Sequence, residues 1–209
     1  MRETRNFDAI VVYGSRGFTQ TILNATKERW QGRVRVLAMV DDLENGHLHP
    51  DLGIPVISAE RRLAEFPEVP VFVTPGSSAL RARLVARLAG EDACLATVVF
   101  PGLGHADPGT RYGAGSHCAH STRIGANVRI GIGARVLGSG LGHDIVLGDF
   151  ATVGWGTSVL GHVEIGEAAQ IGTGAVVHQD VPEGARMMGN PAMPVRDWLR
   201  LRKLLRDGD

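Results

Sequence analysis

The sequence predicts two structural regimes in one chain: a small α/β domain with a parallel sheet, then a β-solenoid followed by an amphipathic helix. Three observations carry this. Up to about residue 100, apolar runs alternate with helical patterns, as in βαβ units. Beyond that point glycine becomes dense, with 20 of the 28 glycines between Gly102 and Gly189. In the same stretch an aliphatic residue recurs every six positions, which is too slow for a helix and too regular for an ordinary sandwich.

Composition narrows the partners. The 209 residues carry 22 Lys and Arg against 22 Asp and Glu, without the basic excess that marks a nucleic-acid surface. Cys94 and Cys118 form neither a CxxC pair nor a disulfide framework, which fits a reducing cytoplasm. The start, Met1 to Asp8, is polar, and no stretch approaches the roughly 18 apolar residues of a membrane span. A soluble, cytoplasmic protein with no membrane or nucleic-acid partner is expected.

In the first regime, Ala9–Tyr13 reads as a strand closed by Gly14-Ser-Arg-Gly17, with a helix over Phe18–Trp30 behind it. Residues 34–40 give a second strand ending at Asp41-Asp42, and residues 58–66 a short helix. Residues 69–74 form a third strand, closed by Pro75-Gly76. Ser77-Ser78 can cap a helix whose Leu80, Leu84 and Leu88 share a face, and residues 95–100 supply a last strand.

In the second regime, Tyr112, Cys118, Ile124, Ile130 and Val136 lead successive six-residue pieces. The next leading residue, Leu141, arrives one position early; Leu147, Val153, Val159, Ile165, Ile171 and Val177 then keep the count. Small or β-branched residues stand four positions after each leader, as at Val128, Ala134, Ala151, Ala169 and Ala175. Each piece suits one short strand and one turn, and three pieces close a triangular coil, about four coils in all. The early return at Leu141 marks a place where a solenoid can aim a side chain outward. Residues 195–206 mix Trp198, Leu199, Leu201, Leu204 and Leu205 with basic residues, as a terminal amphipathic helix would.

The Gly-rich turn after the first strand, Val40-Asp41-Asp42, Gly76 with Arg81, the hexads, Gly142-His-Asp-Ile-Val-Leu-Gly148 and the ending Asp180-Val-Pro-Glu-Gly…Gly-Asn-Pro-Ala192 together resemble one family. It is the sialic-acid O-acetyltransferase-like group of left-handed β-helix acyltransferases, with its PglD-type sugar-nucleotide N-acetyltransferases. The resemblance implies a Rossmann-like nucleotide-sugar domain over residues 1–100, a left-handed β-helix acyltransferase domain over 101–194, and a helix and tail over 195–209. It also implies a homotrimer that moves an acetyl group from acetyl-CoA to the amino group of a nucleotide-linked amino sugar, without metal. Within the same group, O-acetylation of a free or polymer-bound sugar is the alternative; a non-catalytic hexapeptide-repeat assembly protein is the alternative outside it.

By that resemblance His143 is the general base and Asp144 the acid that orients it. This agrees with simple chemistry, since a neutral imidazole is suited to take a proton near neutral pH. Thr152, Gly154, Gly156, Thr173, Gly174, Asn190 and Pro191 fall to the acetyl-CoA site, with the Gly156 N–H as oxyanion donor. Gly14, Arg16, Gly17, Phe18, Asp41, Asp42 and Gly76 fall to the nucleotide sugar. Departures are Thr152 and Phe18, where relatives carry histidine, and Trp155, which suits either the acyl pocket or a subunit interface.

Other chemistry-bearing residues read as bland. His117, Cys118 and His120 lack a second ligand pair at zinc-like spacing. His105 and Asp107 read as loop, His162 and His178 as surface corners, and Arg81, Arg83 and Arg87 mostly as helix decoration, although by the resemblance Arg81 lines up with a recurrent arginine that either holds the sheet domain together or meets phosphate.

Overall fold

In the computed structural model, residues 1–30, 32–100, 107–119 and 121–207 are described; His105 and His120 lie outside them. Two compact units emerge: Met1–Val99 with Ala114–Ser116, and Phe100–Gly113 with His117–Asp209.

The first unit is built on a seven-stranded sheet: β1 (Arg2–Thr4), β2 (Ala9–Tyr13), β3 (Arg35–Val40), β4 (His47–Leu48), β5 (Pro55–Ile57), β6 (Val71–Val73) and β7 (Cys94–Ala96). The strand order is β1-β7-β6-β2-β3-β5-β4, and only β4 runs antiparallel to its neighbour. Helices α1 (Phe18–Trp30), α2 (Ala59–Glu65) and α3 (Ser78–Gly90) connect the strands. Ile10, Val11, Val12, Met39, Phe72 and Leu95 are fully buried, as strands covered on both faces require. Because β2 pairs with both β3 and β6, the chain reverses direction across the sheet at β2. The turns after β2, β3 and β6 therefore meet where open parallel sheets form ligand crevices.

The expected elements are present with adjusted limits. Ser58 and Ser77 cap α2 and α3, accepting from Arg61 N–H and Leu80 N–H. The expected strand over residues 95–100 is split into Cys94–Ala96 and Val98–Val99, with the intervening Thr97 accepting from the Gly115 N–H at 2.9 Å. The buried face of α3 runs through Ser78, Arg81, Val85 and Leu88. Of the two readings of Arg81, the structure fits the one that ties the sheet unit together: its guanidinium donates to the carbonyls of Pro75 (3.2 Å) and Gly76 (2.7 Å), and burial lowers its pKa to about 10.

The second unit is a parallel β-solenoid of two-residue strands. One face stacks His117–Cys118, Arg135–Val136, Thr152–Val153 and Gln170–Ile171, and another stacks Arg123–Ile124, Gly140–Leu141, Ser158–Val159 and Val176–Val177. The third stacks Arg111–Tyr112, Arg129–Ile130, Val146–Leu147 and Glu164–Ile165. The leading aliphatics from Ile130 onward are buried, and so are Val128, Ala134, Ile145, Ala151, Thr157, Val163, Ala169 and Ala175. Both sequence positions of each hexad therefore fill the coil. The early return is real: the strands at Arg135–Val136 and Gly140–Leu141 are joined by a piece one residue short. Coil stacking also explains glycines that follow the leaders; a Cβ on Gly142 would stand 2.6 Å from the Gly161 nitrogen. Helix α4 (Val195–Asp207) follows a short antiparallel pair, Arg186–Met188 with Met193–Pro194. Among the described residues, no helix is long and apolar enough to cross a membrane.

Candidate active site

One edge of the solenoid collects its polar chemistry. The Asp144 N–H donates to the Ala126 carbonyl at 2.9 Å and the His162 N–H to the His143 carbonyl at 3.0 Å, so Asn127, Asp144 and His162 stack on successive coils. All three adopt positive φ, at 56°, 55° and 62°, a region that Asn, Asp and His enter more readily than most residues. The turn itself thus selects short polar side chains and turns them outward.

His143 Nδ1 lies 2.8 Å from Asp144 Oδ2. A carboxylate only accepts, so the neutral ring carries its proton on Nδ1 and presents the Nε2 lone pair. Asn127 Nδ2 donates to Asp144 Oδ1 at 2.6 Å. The Asn127 bond and then the His143 bond hold the Asp144 carboxyl below its ordinary pKa. His162 stands edge-on to His143, ring centroids 4.9 Å apart and planes at 86°, with Nδ1 4.0 Å from Asp144 Oδ2. An exposed, oriented imidazole with a free Nε2 is equipped to remove a proton from an incoming nucleophile.

In the first unit, the crevice turns carry the other predicted set. Gly14 at φ 116° leaves no room for a side chain: a Cβ would stand 2.5 Å from Thr19 Oγ1 and 2.7 Å from Thr74 Oγ1. Asp41 accepts from Ser15 Oγ and from the Leu43 (3.0 Å) and Glu44 (3.3 Å) N–H groups. Burial acts to raise the Asp41 pKa, but these bonds and the Arg16 charge outweigh it and the net shift is downward. Arg16 pairs with Glu44 at 2.6 Å. Beside them lies a hollow of about 370 Å³ lined by Ser15, Arg16, Gln20, Glu44, His47, His49, Pro50 and Asp51. Phe18 lies by Gly76, at 3.9 Å from a Cβ built there.

No family model matches the chain. Solved structures do. WeeI from Acinetobacter baumannii AYE superposes with a TM-score of 0.68 at 24% identity, covering 90% of this chain and 100% of that one. The acetyltransferase domain of PglB from Neisseria gonorrhoeae FA1090, in complex with acetyl coenzyme A, gives 0.67 at 21% identity, covering 91% and 100%. A histidine-to-alanine variant of the GDP-perosamine N-acetyl transferase from Caulobacter crescentus, in complex with CoA and GDP-perosamine, gives 0.65 at 24%, covering 89% and 96%.

The chain has the fold of these acetyltransferases.

Among curated proteins, the UDP-3-O-acylglucosamine N-acyltransferase of Methylobacterium sp. (strain 4-46) is 37% identical over 92 residues, 44% of this chain and 26% of that protein. The chain spans about a quarter of the length of the curated relatives it matches.

Within this acetyltransferase fold the remaining predicted residues separate. Gly156 and Gly174 lie on another edge, where Gly156 N–H donates to Gly138 O at 3.1 Å and Gly174 N–H to Trp155 O at 2.8 Å. The Gly156 N–H is therefore committed to coil stacking, which corrects its expected role as the oxyanion donor. Both glycines face open space at positive φ, and Thr173 lies between Gly172 and Gly174 on the same turn. Gly154 is packed against the next coil, its N–H on the Ile171 carbonyl at 2.8 Å. Thr152 lines a narrow hollow of about 140 Å³ with Gln170, Gly172, Arg186, Met188 and Val195. Asn190 and Pro191 form the turn after Gly189, whose carbonyl accepts from the Val176 N–H at 3.0 Å. Trp155 is half-buried over Gly138.

Asp42 has structural partners of its own. It accepts from the Ala59 N–H at 2.7 Å and pairs with Arg87 at 2.9 Å, so it anchors α2 and α3 while its side chain stays 45% exposed. Asp107 is a staple, accepting from the Gly109 and Asn127 N–H groups at 3.0 Å.

Sequence reasoning missed Asn127, and it read His162 only as surface. Counting by coils instead of hexads would have aligned both with Asp144. Ser15 and His49 gave no such signal, because their partners come from distant loops: His49 Nε2 meets the Ser15 carbonyl at 3.0 Å.

Proposed function

We propose that the protein is an acyltransferase that moves an acetyl group from acetyl-CoA to the amino group of a nucleotide-linked amino sugar, with His143 as general base. The observation that carries this reading is the Asp144-oriented imidazole of His143, on the outer edge of a fold shared with sugar N-acetyltransferases. Acetyl-CoA supplies the acetyl group as a thioester. His143 Nε2 takes the proton as the amine nitrogen bonds to the acyl carbon, and returns it to the departing sulfur as the C–S bond breaks. Asp144, held by Asn127, keeps the ring in the reactive tautomer and supports the imidazolium.

For the donor, the hollow at Thr152 and Gly172 suits a slim chain, and the open flank at Gly156, Thr173 and Gly174 leaves backbone accessible to it; Gly154, Asn190 and Pro191 shape the coils and turn around that course. That flank and His143 occupy different edges of one solenoid. The reading therefore takes three copies to assemble each site between neighbours, and the leucines left exposed on α4, Leu199, Leu201, Leu204 and Leu205, suit burial in such an assembly.

We assign residues 1–100, which hold the sheet, as a Rossmann-like nucleotide-sugar domain, residues 101–194 as a left-handed solenoid domain, and residues 195–209 as the terminal helix and tail. Gly14, Ser15, Arg16, Gly17, Phe18, Asp41 and Gly76 surround the crevice, with the neighbouring hollow reaching His47 and Asp51. Gly14 and Gly17 let backbone approach a phosphate, and the Arg16 guanidinium complements its charge.

The test is release of free CoA thiol from acetyl-CoA with UDP-, dTDP- and GDP-linked amino sugars as acceptors. Release with one pool, lost in His143→Ala, is the expected result. Silence with every amino sugar but release with hydroxyl acceptors would move the reading to O-acetylation. Silence with all acceptors, with no acetyl-CoA binding, would overturn catalysis.

A further inference from the structure

Among the described residues, one group of three metal-ligating side chains has converging donor atoms: His143, Asp144 and His162, whose ligand atoms lie within 4.8 Å of one another. We propose that they form a site for a divalent transition-metal ion of the zinc class, and that filling it silences His143 as a base. The site stands on its own geometry; only its effect on turnover rests on the function proposed above.

Two imidazoles and a carboxylate suit ions of this softness. Bonds of about 2.0–2.2 Å from zinc to nitrogen and oxygen place donors roughly 3.3 Å apart around a tetrahedral ion. Asp144 Oδ2 stands 2.8 Å from His143 Nδ1 and 4.0 Å from His162 Nδ1. These two separations bracket the required one, and the third, between the histidine donors, is no more than 4.8 Å, so rotating the two exposed rings toward each other would complete the site.

The cluster is also held in place. The His162 N–H to His143 carbonyl bond, 3.0 Å, ties the two ligand corners together. Asn127 fixes Asp144 through Oδ1 at 2.6 Å and leaves Oδ2 toward the histidines, the outer support that ligating carboxylates use. Both histidines are exposed, so an ion can enter and keep a position open to water. The histidine pair of the first unit lacks this freedom. There His49 meets the Ser15 carbonyl through Nε2 at 3.0 Å and accepts the Asp51 N–H through Nδ1 at 3.3 Å.

The inhibitory consequence follows from proton placement. Neutral His143 carries one proton, on Nδ1 toward Asp144, with its lone pair on Nε2. An ion bound at Nδ1 needs a lone pair there, so the same proton moves to Nε2. No proton is lost, but Nε2 becomes a donor and can no longer accept one from an amine.

The test titrates the full chain with Co²⁺, whose tetrahedral nitrogen and oxygen complexes absorb visible light, and then displaces it with Zn²⁺. One equivalent of Co²⁺ with visible bands, erased by Zn²⁺, is expected. His162→Phe keeps an aromatic ring beside His143 and removes the donor; it should lose the bands while its circular dichroism stays native. Asn127→Ala should bind about tenfold more weakly. In turnover, Zn²⁺ should inhibit the wild type reversibly on chelation, and His162→Phe should need at least about tenfold more Zn²⁺ to halve its own uninhibited rate. Native-like Co²⁺ bands in His162→Phe, no bands in the wild type, or equal Zn²⁺ sensitivity of both proteins would each overturn the proposal. If Co²⁺ behaves as expected and no acceptor ever supports turnover, the metal site stands and the acyltransferase reading falls.

Discussion

Gly161 lies against the imidazole of His143: a Cβ built on it would stand 2.9 Å from Cε1 and 3.0 Å from Nε2. The glycine is the floor on which the ring rests, one coil further along the solenoid. Gly161→Ala should displace Nε2, the atom that takes the proton. Because the His143 ring is exposed and can swing aside, folding should change little while kcat falls about a hundredfold, the usual effect of an ångström of misplacement. Acetyl transfer at saturating donor and acceptor, measured alongside thermal unfolding, checks both halves.

Removing the carboxylate partner should be as informative. In Asp144→Asn the side chain keeps its size but loses the charge that fixes the His143 tautomer, so kcat should fall by about 10²-fold or more. The pairing with His143 is exposed, and the melting temperature should stay close to that of the wild type. Equal activity of the two proteins would remove Asp144 from the mechanism.

A third expectation concerns the first unit alone. Arg62 is fully buried and pairs with Glu91, which also bonds Arg87 Nε at 3.0 Å. Glu91→Ala would strand the Arg62 charge, at a cost of about 3–5 kcal/mol. Denaturant unfolding followed by a probe in that unit would read this as a lowered midpoint.

Acid should act through Asp41. Its folded pKa lies below the ordinary 3.8, so its contribution is fully present above the unfolded value and is lost as pH falls through the depressed folded value. Asp41→Asn should therefore be less stable than the wild type at neutral pH, and the gap should narrow in strong acid. Thermal unfolding of both proteins from pH 7 down to about 2 tests the sign.

The elements with a long enough pattern were readable. Helix α1 spans Phe18–Trp30 as the turn glycines before it suggest, and each hexad leader from Tyr112 to Val177 is the second residue of a two-residue strand. Strands β1, β4 and β5 carried no usable signal, because Arg2–Thr4 is charged and polar, His47–Leu48 is two exposed residues and Pro55–Ile57 opens on a proline, so none stands out as an apolar run or belongs to a repeat. At the candidate site, His143 and Asp144 were legible because they are neighbours in sequence. His162 and Asn127 join them only through coil stacking. The bonds of Asp42 to Ala59 and Arg87 were not legible, because those partners come from elements that sequence spacing does not bring near.

The edge formed by Asn127, Asp144 and His162 has a consequence for how such a protein can change. The residues filling the coil and the residues on the edge are separate sets, so a new side chain at an edge position leaves the packed interior untouched. Successive coils then behave like rungs on a ladder, each offering one peg at a fixed height. Reactivity could be reassigned peg by peg, by ordinary point substitution, without rebuilding the scaffold that carries it.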